Sequence, residues 1–185
     1  MSSARERIIE AALTLVAEQG LAGVTMVAVA RTAGVARATL YKHYPDISSI
    51  LADAARVHNQ HAIDGLHQSL PVVSTPPQAI EQLVGHVAAT SSHGHTLASH
   101  HGFPPELRDQ LAAFDTELER QLRSILTDGT ASGDFGPDLD PDITASLLRH
   151  ALNSVSELGA TSPERSAPIV DGATTTLLAA LNSHP

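Results

Sequence analysis

Residues 33–46 read AGVARATLYKHYPD. The chain has 185 residues but only 2 tyrosines, Tyr41 and Tyr44, and a single lysine, Lys42, and all three fall in this run. Ala33-Gly34-Val35 is a turn with a glycine inside it. Before it, Thr25 is placed to cap a short helix over Met26–Thr32. After it, a further helix starts near Ala36 and reaches about Tyr44, where Pro45 stops it. Two short helices joined by a turn of about three to four residues containing glycine form a helix-turn-helix. Such a unit lays its second helix in the major groove of DNA, with the residues near that helix's N-terminus at the base edges. Leu40 is the one large aliphatic residue of this helix, so it is expected to face inward. Arg37, Thr39, Lys42 and His43 then point outward, each able to donate a hydrogen bond to a phosphate or a base edge. The gathering of these scarce residue types is what a surface for a polyanion is expected to show.

Outward from this run the pattern is helical throughout. Ala4–Gln19 carries Ile8, Ile9, Ala12, Leu13, Leu15 and Val16 at helical spacing, and Gly20 is placed to end it. Asp46 is positioned to cap a long helix over Ile47–Leu70, stopped by Pro71. Further helices are predicted over Gln78–Ser91, Glu106–Thr127, Pro141–Leu158 and Pro163–Leu181. Residues 92–105 read as irregular or as one short helical turn. No segment alternates with period two over a useful length, so the fold class is all-α, about nine helices without a sheet. The natural division is a helix-turn-helix domain over residues 1–46 and a helical domain over 47–185.

Bulk properties agree with this division. The net charge is −9, which at first argues against a nucleic-acid partner. Its distribution reverses the inference: residues 1–57 carry six basic and five acidic groups, whereas residues 58–185 carry five and fifteen. The first third can approach an anion and the remainder is repelled by one. With 42% hydrophobic residues the chain can build a packed core. There is no cysteine, which excludes a disulfide framework and a thiolate metal site. No apolar run reaches the roughly 18 residues needed to span a bilayer, and the N-terminus MSSARERIIEAA threads charges through its apolar residues, unlike a signal peptide. A cytoplasmic protein without a membrane partner is expected.

VARTAGVARATLYKHYPD, preceded by a helix and by Gly20 and Val24-Thr25, resembles the DNA-binding head of the TetR family of one-component repressors, over residues 5–55. The resemblance implies a homodimer on a palindromic operator in double-stranded DNA, released by a small-molecule effector. It assigns Thr25, Tyr41 and His43 to phosphates, and Arg37, Ala38, Thr39 and Lys42 to the groove. Tyr44 is expected to pack structurally. Three positions depart from the family pattern. Ala36 stands where Ser or Thr usually opens the recognition helix, Ile47 where a lysine often grips phosphate, and Ala28 where an acidic residue is common. Weaker capping, by about 1 kcal/mol at Ala36, and salt-sensitive DNA affinity follow.

The rest of the chain is less explicit. The last two predicted helices carry broad apolar faces, Ile143, Leu147, Ala151, Val155 and Leu158, then Ile169, Val170, Ala173, Leu177 and Leu181. Such faces suit a four-helix dimer interface, or else close the monomer's own core. Beyond the head the only aromatic residues are Phe103, Phe114 and Phe135, too few for an aromatic cage around a cation. The effector is therefore expected to be small and mostly apolar. Candidate effector contacts are His61, His86, Phe103, Phe114 and His150. Eight of the 11 histidines lie in residues 58–101, so a metal-responsive regulator is an alternative, since imidazole suits zinc, nickel and copper. No tight ligand motif such as HExxH is present, and neither a metal site nor a cofactor is assigned. A nucleophile elbow and a phosphate loop are also missing, so an enzyme is not expected. A helical dimer serving as an interaction module without DNA binding is the remaining alternative.

Overall fold

The computed structural model of the chain describes residues 3–70, 75–91 and 105–182. Among these residues the protein is all-α, with eight helices and no strand. They are α1 (Ala4–Gln19), α2 (Met26–Thr32), α3 (Arg37–His43), α4 (Ile47–Ser69), α5 (Pro76–Ser91), α6 (Pro105–Ser132), α7 (Pro141–Thr161) and α8 (Ser166–Leu181). Two 3-10 turns, Leu21–Gly23 and Pro163–Arg165, precede α2 and α8. The short turn expected within 92–105 falls almost wholly outside the described residues.

The chain divides into two compact units: residues 3–60 with 105–111, and residues 61–91 with 112–182. In the first, Ser3 opens α1 with a capping box: its hydroxyl accepts the Glu6 N–H and the Glu6 carboxylate accepts the Ser3 N–H. Thr25 caps α2, its hydroxyl oxygen accepting the Ala28 N–H at 3.1 Å. At the turn between α2 and α3, Gly34 has φ +63°, a left-handed conformation in which a Cβ is strained. The Val35 N–H then returns to the Ala30 carbonyl at 3.0 Å, which closes the turn. Ala36 holds the N-cap of α3 without any side-chain hydrogen bond, as its methyl dictates. Asp46 starts α4 by accepting the Ser49 N–H at 2.8 Å. Ile8, Leu15, Val29, Leu40, Tyr44 and Ile50 form the core of this unit.

The second unit packs α5 against α7 and α8, and α7 against α8. Leu66, Leu83, Phe114, Leu118, Phe135 and Leu152 are among its buried residues. Two local devices set its geometry. Thr75 accepts the Ala79 N–H at 3.0 Å and α5 begins at Pro76, two residues earlier than predicted, because proline is tolerated where the N–H has no helical partner. At the other end, α6 runs past Gly129 to Ser132 and stops at Gly133, whose φ is +82°. Gly129 serves packing instead: a Cβ there would stand 2.1 Å from the Phe135 ring. The Phe135 N–H donates to the Gly129 carbonyl at 3.0 Å, and the neighbouring Gly136 N–H donates to the carbonyl of Leu181 in α8.

α7 has two apolar faces. Ala145, Leu148, Leu152 and Val155 turn into the core, whereas Ile143, Leu147 and Leu158 are 62%, 65% and 56% exposed. Of the α8 positions, Leu181 is buried and Val170, Ala173 and Leu177 pack against the same core.

Candidate nucleic-acid interface

α3 is seven residues long, too short to persist on its own propensity. It is held by insertion: Leu40 has no exposed surface, and Tyr44, in extended backbone just past the helix, is 6% exposed. With these two turned inward, Arg37, Ala38, Tyr41, Lys42 and His43 are all exposed and Thr39 is half-buried. Ala38 and Lys42, four residues apart, share one face of the helix. Tyr41 is 56% exposed, an unusual position for a large ring without a partner. Thr25 uses its oxygen as the α2 cap, which leaves its hydroxyl hydrogen free to donate.

The charges of the unit are unequal in availability. Arg5 and Arg56 bind the Asp53 carboxylate, at 2.6 and 2.9 Å, and Arg7 Nε donates to the Ala33 carbonyl at 3.4 Å. Arg31, Arg37 and Lys42 form no ion pair with any described residue, and all three are exposed. Arg31, in the last turn of α2, had no motif to single it out; only the structure separates it from the arginines engaged elsewhere. A short basic helix backed by a packed core, beside a capped helix with a free hydroxyl, has the donors needed to contact phosphates and base edges together.

Comparison with known proteins decides the family. The model of the bacterial regulatory proteins of the tetR family matches residues 8–54, and that of the tetracyclin repressor-like C-terminal domain matches residues 77–157. The chain belongs to the TetR family of transcriptional regulators. TetR regulators bind DNA and small-molecule effectors and act as dimers, and the family is one of regulators, not enzymes. The HTH-type transcriptional repressor KstR2 of Mycolicibacterium smegmatis is 26% identical over 157 residues, covering 80% of this chain and 75% of that protein. The fatty acid degradation regulator FadR of Bacillus halodurans superposes over 100% of this chain and 99% of its own, with a TM-score of 0.81 at 19% identity. FadR of Bacillus subtilis, solved with stearoyl-CoA, gives 0.75 at 20% identity over 96% and 97% of the two chains. At these identities the structural likeness is one of fold.

The residues assigned to an effector are not gathered in one place. Phe114 is 1% exposed, inside the core of the second unit. His61 is exposed on α4. His150 is exposed on α7, its Nδ1 2.7 Å from the Ser146 carbonyl of its own helix. Phe103 lies outside the described residues. His86 is committed to the fold: its Nε2 lies 2.9 Å from the Ala62 carbonyl, and its ring rests where a Gly65 side chain would be. For the metal-responsive alternative, no three His, Asp or Glu side chains converge among the described residues. His93, His95, His100 and His101 lie outside them. No helix among the described residues is long and apolar enough to cross a membrane.

Two side-chain clusters tie elements of the second unit together. Glu117 on α6 accepts from Arg120, from Gln121 and from His67 of α4, the last at 2.6 Å. The Arg120 hydrogen bond, with those from His67 and Gln121, outweighs burial and holds the Glu117 carboxyl down at about 2. Arg149 of α7 likewise bridges to Glu119 and Asp115 of α6 at 2.9 and 3.4 Å.

Proposed function

We propose that the protein is a cytoplasmic repressor that holds a palindromic operator as a homodimer and releases it when a small, mostly apolar effector binds. In this reading residues 1–46 form the DNA-binding domain and residues 47–185 carry effector binding and dimerisation. Arg37, Ala38, Thr39 and Lys42 read the major groove. Thr25, Tyr41 and His43 hold phosphates. The observation that carries the reading is the division of α3, with Leu40 fully buried and the polar residues around it exposed.

The dimer reading is supported by the outer face of α7. Three of the five large exposed hydrophobic residues among the described ones, Ile143, Leu147 and Leu158, lie there, on a helix already packed on its other side. Its continuation onto α8 is through the half-buried Ile169, while Val155 and Leu181 serve the core. The apolar character of the effector is supported by the second unit's aliphatic interior, in which both described phenylalanines are already packed. It is also supported by the acyl thioester bound to the Bacillus subtilis relative.

Selection of bound duplexes from a random pool should enrich an inverted repeat. No enrichment removes the DNA-binding reading. Stearoyl-CoA and shorter acyl thioesters are then titrated against the selected complex beside choline. Release by the apolar-chained compounds alone is expected, with DNA weakening their binding by the same factor. Release by choline alone removes the apolar assignment. In sedimentation the protein should run near twice 19.4 kDa, and Leu147→Glu should shift it to monomer.

A further inference from the structure

Asp53, in the second turn of α4, accepts four hydrogen bonds from three side chains. The Tyr44 hydroxyl donates to its Oδ2. Arg5, in the first turn of α1, donates to Oδ1 at 2.7 Å and lies 2.6 Å from Oδ2. Arg56, one turn further along α4, donates to Oδ1 through Nε and an Nη2 at 3.1 and 2.9 Å. The carboxylate thus joins three separate places: the start of α1, the residue that follows α3, and α4.

The contributions of these bonds differ in kind. Arg5 and Arg56 are about half exposed, at 51% and 49%, so their pairs with Asp53 are screened and add little to stability. They do offset the charge of a carboxylate in the unit that must approach phosphates. Tyr44 is different. Its ring is buried in the core with Leu40 and Ile50, a task phenylalanine would perform as well. The hydroxyl adds one thing a phenylalanine lacks, a directional bond to α4. Burial and the Asp53 hydrogen bond push the Tyr44 hydroxyl up to about 12, so it remains a donor at every physiological pH. Burial opposes ionisation of Asp53, but the bonds from Tyr44 and Arg56 and the charge of Arg5 outweigh it and lower its pKa.

α3 has no capping side chain at Ala36, so its N-terminal end is weakly anchored. Leu40 fixes its depth but, as a single apolar knob, constrains rotation about the helix axis poorly. The tie one residue beyond His43 supplies the missing constraint. We propose that Asp53 is a positioning residue for DNA recognition, which through the Tyr44 hydroxyl sets the orientation of α3 on α4 and so the aim of Arg37, Ala38 and Lys42. It acts through Tyr44 and touches no base. This inference rests on α3 being the helix that enters the groove.

The test uses the full-length dimer and the operator selected from the random pool. Tyr44→Phe, Asp53→Asn and the double variant are compared with wild type for binding to the operator and to a random duplex. Thermal melting and sedimentation are recorded alongside, and binding is measured well below the lowest Tm. Tyr44→Phe changes no charge, so it should weaken the operator complex about tenfold and leave the random-duplex complex within about twofold, because misaimed side chains lose base edges before phosphates. If the hydroxyl acts through the carboxylate, the double variant should bind the operator no more weakly than the weaker single variant. A purely structural tie would lower Tm and leave the ratio of operator to random-duplex affinity at the wild-type value, which overturns the proposal. Additive losses in the double variant overturn it as well. Should Tyr44→Phe not fold, Asp53→Asn alone decides, by the same affinity ratio. A wild-type protein that binds no duplex overturns the DNA-binding reading and this inference with it, whereas binding with an unchanged ratio in the variants overturns the inference alone.

Discussion

The two units of this protein separate structure from chemistry in opposite ways. In the first, the residues that hold the fold and the residues available to a partner are different side chains of the same short helix. Leu40 is buried completely while Arg37, Ala38, Tyr41, Lys42 and His43, around it in sequence, are exposed. In the second, several chemistry-bearing side chains among the described residues are engaged by the fold itself. Phe114 is core, His86 lies over Gly65 against the Ala62 carbonyl, and Glu117 is bonded to His67, Arg120 and Gln121. A surface prepared for a partner can be recognised by polar groups without partners. An apolar interior with satisfied polar groups gives no such sign, whatever it accommodates.

Leu40→Ala should have the largest effect, about 2–5 kcal/mol of lost stability confined to the first unit. Calorimetry should show the transition of that unit moved and the other unchanged. A single transition shifted as a whole breaks the distinction between the units. Gly129→Ala is the counterpart in the second unit. The new Cβ meets a buried ring at 2.1 Å, and overpacking of this kind costs about 1–3 kcal/mol. Operator affinity measured below its Tm should be retained.

These positions also show what a sequence discloses. The turn around Gly34 was legible because three constraints coincide within a few residues: a cap at Thr25, a glycine needed for a left-handed φ, and one aliphatic residue in a polar helix. The end of α6 was not. The chain offers Gly129 and Gly133, and helix propensity favours a stop at the first; it is the ring of Phe135, arriving from beyond the helix, that makes Gly129 a packing position and leaves Gly133 to end the helix. The Asp53 cluster escaped for a similar reason, since Arg5 lies 48 residues away and no local spacing connects them. The apolar face of α7 was visible as apolar, but its division into an inner side and an outer side depends on which neighbours it meets.

Acid should affect the second unit through Glu117. Its carboxyl is held at about 2 in the folded protein, below the ordinary value of 4.5. A depressed carboxylate contributes stability above its unfolded pKa and loses it as pH falls through the folded one. The contribution is therefore complete at neutral pH and declines between about pH 4.5 and 2. Denaturant midpoints of wild type and Glu117→Gln should differ at pH 7 and converge toward pH 2. A constant difference across that window removes the assignment.

The smallest expected effect is that of Tyr41→Phe. Loss of one hydroxyl at a phosphate should weaken every duplex alike, by about 0.5–1.5 kcal/mol. The side chains of Arg31, Arg37 and Lys42 form no bond to a described residue, whereas Arg5, Arg7 and Arg56 are engaged within the head, so a dimer should show a log–log salt slope of roughly −5. A slope near −10 would mean that Arg5 and Arg56 leave Asp53 to contact DNA.

Base preference after Arg37→Ala tests most directly whether α3 reads the groove. Arg37 is the first residue of α3 and is exposed. A bidentate contact from arginine to guanine discriminates by about 1–3 kcal/mol. Binding of wild type and Arg37→Ala is measured on the selected operator and on every single-base variant of one half-site. Loss of preference at one base pair per half-site, with the other preferences kept, is the expected result. An Arg37→Ala protein that retains the full wild-type base preference would contradict it.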